Sequence, residues 1–235
     1  MLKTRHAHER GHFKNDWLDS YHTFSFGEYY DPNHMGVSVL RVINDDKVIP
    51  GAGFPTHPHK NMEIVSYVLD GALEHKDSMG NGSVIRPGDV QRMSAGTGVT
   101  HSEFNPSDEN PVNFLQIWLL PNAQYTQPGY EQKHFPAPDR QGRLKLLVSG
   151  DGRDGSVSAN TDALMYGALL DEGQSVSHDS KPDRVLYVHV ARGRVEVNGQ
   201  ALNGGDGCQV SAEPQLEITG RATTEVLLFD LPLAS

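Results

Sequence analysis

Short apolar runs, cut by glycine, proline and Asn/Asp-rich turns, repeat along the whole chain. Residues 22–26, His-Thr-Phe-Ser-Phe, alternate with period two, the spacing of a half-buried strand. Residues 37–43 are β-branched and are expected to stop at Asn44, Asp45 and Asp46, whose side chains favour turns. Residues 62–69 read as the next strand, Asp70 and Gly71 as a tight hairpin turn, and residues 72–77 as its return. Turns at 79–82, 86–89 and 96–98 frame a strand at 90–93. Residues 114–120 are almost continuously apolar, which predicts burial on both faces. A proline-containing polar stretch at 134–143 reads as a linker. Strands then resume at 144–148, 164–170, 185–191, 194–197, 215–219 and 226–231. No helical period longer than two turns stands out, so the pattern predicts an all-β chain.

The second half echoes the first. Residues 66–73 resemble 186–195 in pattern, 87–95 resemble 205–212, and 116–121 resemble 226–232. Three matches in one order predict a duplicated β-domain, divided into residues 1–135 and 136–235.

Composition narrows the function classes. Twenty Lys and Arg stand against 30 Asp and Glu, a net charge of −10. That balance argues against direct nucleic-acid binding and against anionic membranes, which both need basic patches. No segment approaches the roughly 20 apolar residues of a membrane span. No apolar leader follows Met1, and Cys208 is the single cysteine, so a reducing cytoplasm is the expected location. Cys208 itself reads as a buried or turn thiol at a strand start.

The chemistry concentrates in histidines. His57 and His59 flank Pro58 just ahead of the 62–69 run. At i and i+2 on a strand they aim two imidazoles one way, and Pro58 marks a strand start or edge. His101 and Glu103 repeat the spacing after Gly98. Three neutral imidazoles and one carboxylate suit Fe(II), Mn, Ni, Cu, Zn or Co, and suit Ca or Mg poorly. Four such ligands on an octahedral metal leave two positions open. Glu63 shares the even spacing of His57 and His59, so spacing leaves it open as the carboxylate. His75, on the strand expected to face 62–69, is a candidate to support a ligand from behind. His6, His8 and His12 lie among charges with no apolar strand behind them and read as solvated. Phe24, Phe26, Met35 and Met93 are candidate walls for an aromatic ligand.

These words have a family likeness. Gly51-x5-His57-x-His59-x3-Glu63-x7-Gly71, then Gly98-x2-His101-x3-Asn105, resemble the two cupin motifs. The first carries one extra residue before Gly71, and Ser94-Ala95-Gly96 replaces the usual Pro-x-Gly of the second. More closely, the chain resembles the pirin family. The shared words include residues 22–26, 40–42, 56–63, 67–71, 74–80, 93–98, 101–103 and 116–118. They cover most of residues 10–135, and the compact length is similar to bacterial pirins with quercetin 2,3-dioxygenase activity.

The resemblance implies a bicupin: two tandem jelly-roll β-barrels, with metal in residues 1–135 and a degenerate partner barrel in 136–235. It implies His57, His59, His101 and Glu103 as the ligands of one divalent metal, with Fe(II) ranked first. It favours Glu103 over Glu63 as carboxylate ligand and as base. Counting back from Gly193, the corresponding slots of the second half fall near Asp179 and Lys181 and near residues 216–218, without a ligand set. The implied activity is ring cleavage of a flavonol such as quercetin by dioxygen with release of carbon monoxide. The alternative is a metal-containing, redox-sensitive module that binds a protein partner as a regulatory cofactor.

Overall fold

The computed structural model describes residues 1–233. The N-terminal half is built from β1 (Leu2–Arg5), β2 (Gly11–Lys14), β3 (Leu18–His22), β4 (Leu40–Val48), β5 (Gly53–His59) and β6 (Glu63–Asp70). It continues with β7 (Leu73–Asp77), β8 (Gly82–Ile85), β9 (Asp89–Ser94), β10 (Val99–Phe104), β11 (Val112–Leu119) and β12 (Gly129–His134). One sheet has the order β12-β9-β6-β11-β4-β3-β2 and the facing sheet the order β5-β10-β7-β8. Together they close a cupin-type barrel.

The second half repeats this plan. In its larger sheet Gly207–Val210, Arg184–Arg192, Thr224–Pro232 and Leu164–Leu170 stand in the order of β9, β6, β11 and β4. In its smaller sheet Ser175–Asp179, Gln215–Gly220, Arg194–Val197 and Gln200–Asn203 stand in the order of β5, β10, β7 and β8. The three sequence echoes therefore fall on equivalent strands. The fold is all-β in two tandem barrels, and no helix among the described residues is long and apolar enough to cross a membrane.

One edge is exchanged. β1 leaves the N-terminal half and pairs antiparallel with Gly207–Val210, Leu2 opposite Val210, while β12 takes the matching edge beside β9. β1 and β12 thus cover the edges of Gly207–Val210 and β9 and become the outer strands of the two larger sheets.

The barrels pack back to back through the outer faces of their larger sheets. Val65, Tyr67 and Ile117 meet Tyr187, Leu227 and Phe229 in one buried cluster. Burying each such side chain contributes about 1.5–3 kcal/mol. The Tyr67 hydroxyl survives burial there because Arg140 donates to it at 2.6 Å and it donates to Glu225 at 2.5 Å.

Several expectations need correction. The expected strand over 22–26 ends at His22, where β3 stops, and Thr23 then bonds to Ile43. β4 does not stop at Asn44; it begins at Leu40 and runs through Asn44, Asp45 and Asp46 to Val48. Ladder bonds to β3 and β11 on both sides override the turn preference of those residues. β6 and β7 are not a hairpin. Gly71, at φ 76, passes the chain between sheets, and β7 pairs with β8 and β10. Pro58 lies near the end of β5, which is an edge strand of its sheet, so of the two expected placements the edge holds and the strand start does not. The 134–143 stretch is partly ordered, with β12 reaching His134 and a short helix at Ala137–Arg140. Residues 114–120 fall on β11 and end at Leu119; the strand sits centrally between β6 and β4 and is buried as expected.

Candidate metal centre

β5 and β10 pair antiparallel with His57 opposite His101. The alternation of β5 keeps His57 and His59 on one face, their rings 4.7 Å apart and nearly perpendicular. A register shift between His101 and Glu103 re-aims the second pair, and both of its side chains are buried. The ligand atoms of His57, His59 and His101 lie within 4.8 Å of one another, as do those of His75, His101 and Glu103. His101 belongs to both groups.

Hydrogen bonding assigns the tautomers. His57 Nδ1 lies 2.7 Å from the carbonyl oxygen of Pro55, so it carries the proton and Nε2 is bare. His75 Nε2 lies 3.1 Å from Asp77 Oδ2 and donates to it, which leaves His75 Nδ1 as an acceptor. His101 Nδ1, 3.4 Å away, is the donor it faces, so Nε2 of His101 is bare as well. The two bare nitrogens of His57 and His101 stand 3.0 Å apart. Facing lone pairs repel unless a cation joins them. Two neighbouring ligands at about 2.1 Å from an octahedral metal are separated by about 3.0 Å, so the residues present fit a metal ion.

Burial pushes His101 down to about 2, helped by His57, His59 and His75 around it, and pushes His59 down to about 4. At neutral pH these rings are uncharged and offer lone pairs. Glu103 is fully buried and its carboxyl is raised to about 7 by desolvation, against the pull of two donors. Ser66 Oγ donates to Oε1 at 2.9 Å and Gln116 Nε2 to Oε2 at 2.7 Å.

The floor of this group opens into a cavity of about 530 Å³. Phe13, Leu18, Phe26, Phe54 and Trp118 wall it with apolar surface. Trp118 stands edge-on to His59 at 5.1 Å, and Phe26 edge-on to Trp118 at 5.3 Å. Polar side chains cross the inner face in register: His22 opposite Asn44, Asn44 opposite Gln116, Gln116 opposite Ser66, and Ser66 opposite Gln91. Ser20 and Asp46 form the adjacent pair, with the serine hydroxyl donating to the carboxylate.

The sequence-derived candidates divide. His57, His59, His101, Glu103 and His75 come together. Glu63 does not: the chain bends between β5 and β6, and its carboxylate accepts from Ser94 at 2.7 Å and Asn160 at 3.2 Å. Of the proposed walls Phe26 lines the cavity. Phe24 packs against Tyr187 between the barrels, Met93 packs with Ile64, Ala95 and Val99, and Met35 is exposed. His12, read as solvated, stacks on Tyr21 at 4.4 Å and lines the cavity. Trp118, Phe54 and Asp46 were missed; the odd polar residue Gln116 inside an apolar run was the available signal for the cavity face.

In the second barrel, register places His178 opposite Leu216, the slot that His57 holds opposite His101. This moves the slot one residue from its expected place at Asp179. His178 bonds to Asp230 at 2.8 Å, and Leu216 and Ile218 are buried apolar residues.

Comparison with known proteins agrees with this architecture. The family model described as Pirin matches residues 3–119, and that described as Quercetinase C-terminal cupin domain matches residues 146–231. The chain is 48% identical over 233 residues to a quercetin 2,3-dioxygenase of Escherichia coli strain K12, covering 99% of each. It is 41% identical to a pirin-like protein of Caulobacter vibrioides, covering 98% of this chain and 99% of that one. The bacterial pirin YhhW from Escherichia coli, solved in complex with nickel(II), superposes with a TM-score of 0.95 at 45% identity, covering 100% of both chains. The duplicated barrels, the histidine cluster and these matches together make the chain a member of the pirin family.

Proposed function

We propose that the protein is a metal-dependent dioxygenase that cleaves a flavonol such as quercetin, with His57, His59, His101 and Glu103 as ligands of one divalent metal, Fe(II) first among them. The observation that carries this reading is the meeting of His57, His59 and the buried Glu103 on the floor of an aromatic-walled cavity of about 530 Å³, with His101 packed directly behind them. That volume lies within the range of small-molecule sites. The similarity to a relative named quercetin 2,3-dioxygenase supports the choice of substrate.

The bound metal would supply Lewis-acid polarisation of the substrate oxygen and a template for bringing dioxygen beside it. The chain's own residues do the rest. Phe26, Phe54 and Trp118 hold the planar rings and exclude water. Glu103, buried beside the histidines and lining the cavity, is the carboxylate placed to take the proton of the 3-hydroxyl. Ser66 and Gln116 hold its carboxylate in place and stabilise its negative charge before the proton arrives. Asp77 and His75 keep His101 in the tautomer that points its bare nitrogen at the cluster.

Oxygen uptake and carbon monoxide release by the Fe(II)-loaded protein with quercetin test the proposal, with His101→Ala as control. Carbon monoxide from the unaltered protein alone is the expected result. Failure to turn over with one metal bound per chain would remove flavonol cleavage from consideration.

A further inference from the structure

The cavity holds polar groups that the chemistry at the histidine cluster does not use. Asp46 is 3% exposed and has no Lys or Arg partner among the described residues. Ser20 donates to its Oδ1, and Oδ2 accepts no hydrogen bond among the described residues. Asn44, two residues along the same inward face, is equally buried, and its Oδ1 is unpartnered. His22 Nδ1 and Trp118 Nε1 are also buried without partners, and all four residues line the same cavity. A fold that only needed a filled barrel would place apolar residues here, because an unpaired buried carboxyl is costly. Four such groups around one apolar space are the signature of a site whose partners arrive with a ligand.

We propose that Asp46, with Asn44 beside it, is the specificity anchor of this cavity and accepts hydrogen bonds from the ring hydroxyls of a polyphenolic substrate. The proposal rests on the flavonol reading and adds to it the residues that choose among flavonols. The ligand must bring donors, because Asp46 Oδ2 and Asn44 Oδ1 are acceptors without partners among the described residues. It must be planar and apolar between them, because the intervening walls are Phe26, Phe54 and Trp118. It must not be strongly anionic, because Asp46 and Glu103 face the same space. A polyhydroxylated aromatic meets all three conditions, and an aromatic acid fails the last. A site built to bond a hydroxyl rejects analogues that lack it, since its own buried groups are then left unpaired.

The test is equilibrium binding to the Ni(II)-loaded protein without oxygen at pH 8, with quercetin and with 3-hydroxyflavone, which keeps the 3-hydroxyl and lacks the other ring hydroxyls. The unaltered protein is expected to prefer quercetin by about 10- to 100-fold. Asp46→Leu should reduce that ratio to within about threefold. Asp46→Asn, which keeps shape and one neutral acceptor, should lower it by less, and it decides the question if the leucine variant does not fold. Either variant keeping its metal and the full ratio would overturn the proposal. Asp46-dependent preference without carbon monoxide release in the aerobic Fe(II) assay would uphold the anchor and overturn ring cleavage. Binding of neither flavonol to the unaltered protein would overturn both.

Discussion

Nδ1 of His75 faces Nδ1 of His101 at 3.4 Å, and the other nitrogen of His75 lies 3.1 Å from the carboxylate of Asp77. A carboxylate, a histidine and a second histidine thus stand in line behind the bare Nε2 of His101. His75→Phe would remove the acceptor and free His101 to take its other tautomer. Ni(II) affinity, measured by competition with a chelator, is expected to fall about 10- to 100-fold. Unchanged affinity and an unchanged Co(II) absorption spectrum would show that His75 only fills space.

The two barrels should differ completely in metal content. His57→Ala is expected to abolish stoichiometric metal, because it removes a nitrogen facing His101 at 3.0 Å. His178→Ala, at the equivalent slot of the second barrel, should leave one metal per chain, because its neighbours across the strand are Leu216 and Ile218. Metal analysis after dialysis separates the two outcomes, and loss of metal from the His178 variant would contradict this division of labour.

Burial raises the Asp46 carboxyl from 3.8 to about 7, with Asp45 and Glu103 adding to the shift and Ser20 opposing it. Between those values the unfolded chain has released this proton and the folded chain still holds it. The group's contribution to stability is therefore present below about pH 3.8 and is lost as pH rises to about 7, by at most about 4 kcal/mol. In the metal-free protein Asp46→Asn should gain stability relative to the unaltered chain, and the gain should grow from pH 5 to pH 7. Parallel denaturant curves at the two pH values would show it; a gap independent of pH would refute it.

Cys208 is fully buried beneath β1, opposite Thr4, and burial raises its thiol above the ordinary value. Its inertness should depend on that strand. Deleting residues 1–5 is expected to speed modification by a thiol reagent by about tenfold or more under native conditions. An unchanged rate would mean that the second barrel protects the thiol without its borrowed edge.

The clustering of the histidines was legible because strand parity is local. Spacing of two puts His57 with His59 whatever the fold, and a second pair behind Gly98 needs only one neighbouring strand. Glu63 failed for the same reason: parity holds only while the strand lasts, and the chain bends between His59 and Glu63. The cavity was less legible because its residues are chosen by pairing across β3, β4 and β11. Asn44 and Asp46 read as a turn until two ladders hold them extended. Phe24 and Phe26 look alike in sequence, yet one faces Tyr187 and the other Trp118. Duplication was readable from three echoes, whereas the exchange of β1 left no trace in local pattern, since a four-residue strand of Leu, Lys, Thr and Arg carries little periodic signal.

That exchange orders events during synthesis. β1 has no partner until Gly207–Val210, about 200 residues further on, has been made. The first barrel, whose strands β2 to β12 pair among themselves, can close while its leading segment is still loose. The second barrel then captures that segment as it completes, a pairing of maximal sequence separation and therefore slow. Leu2–Arg5 thus lock late, and the seam they close ties the first barrel's leading strand to the second barrel.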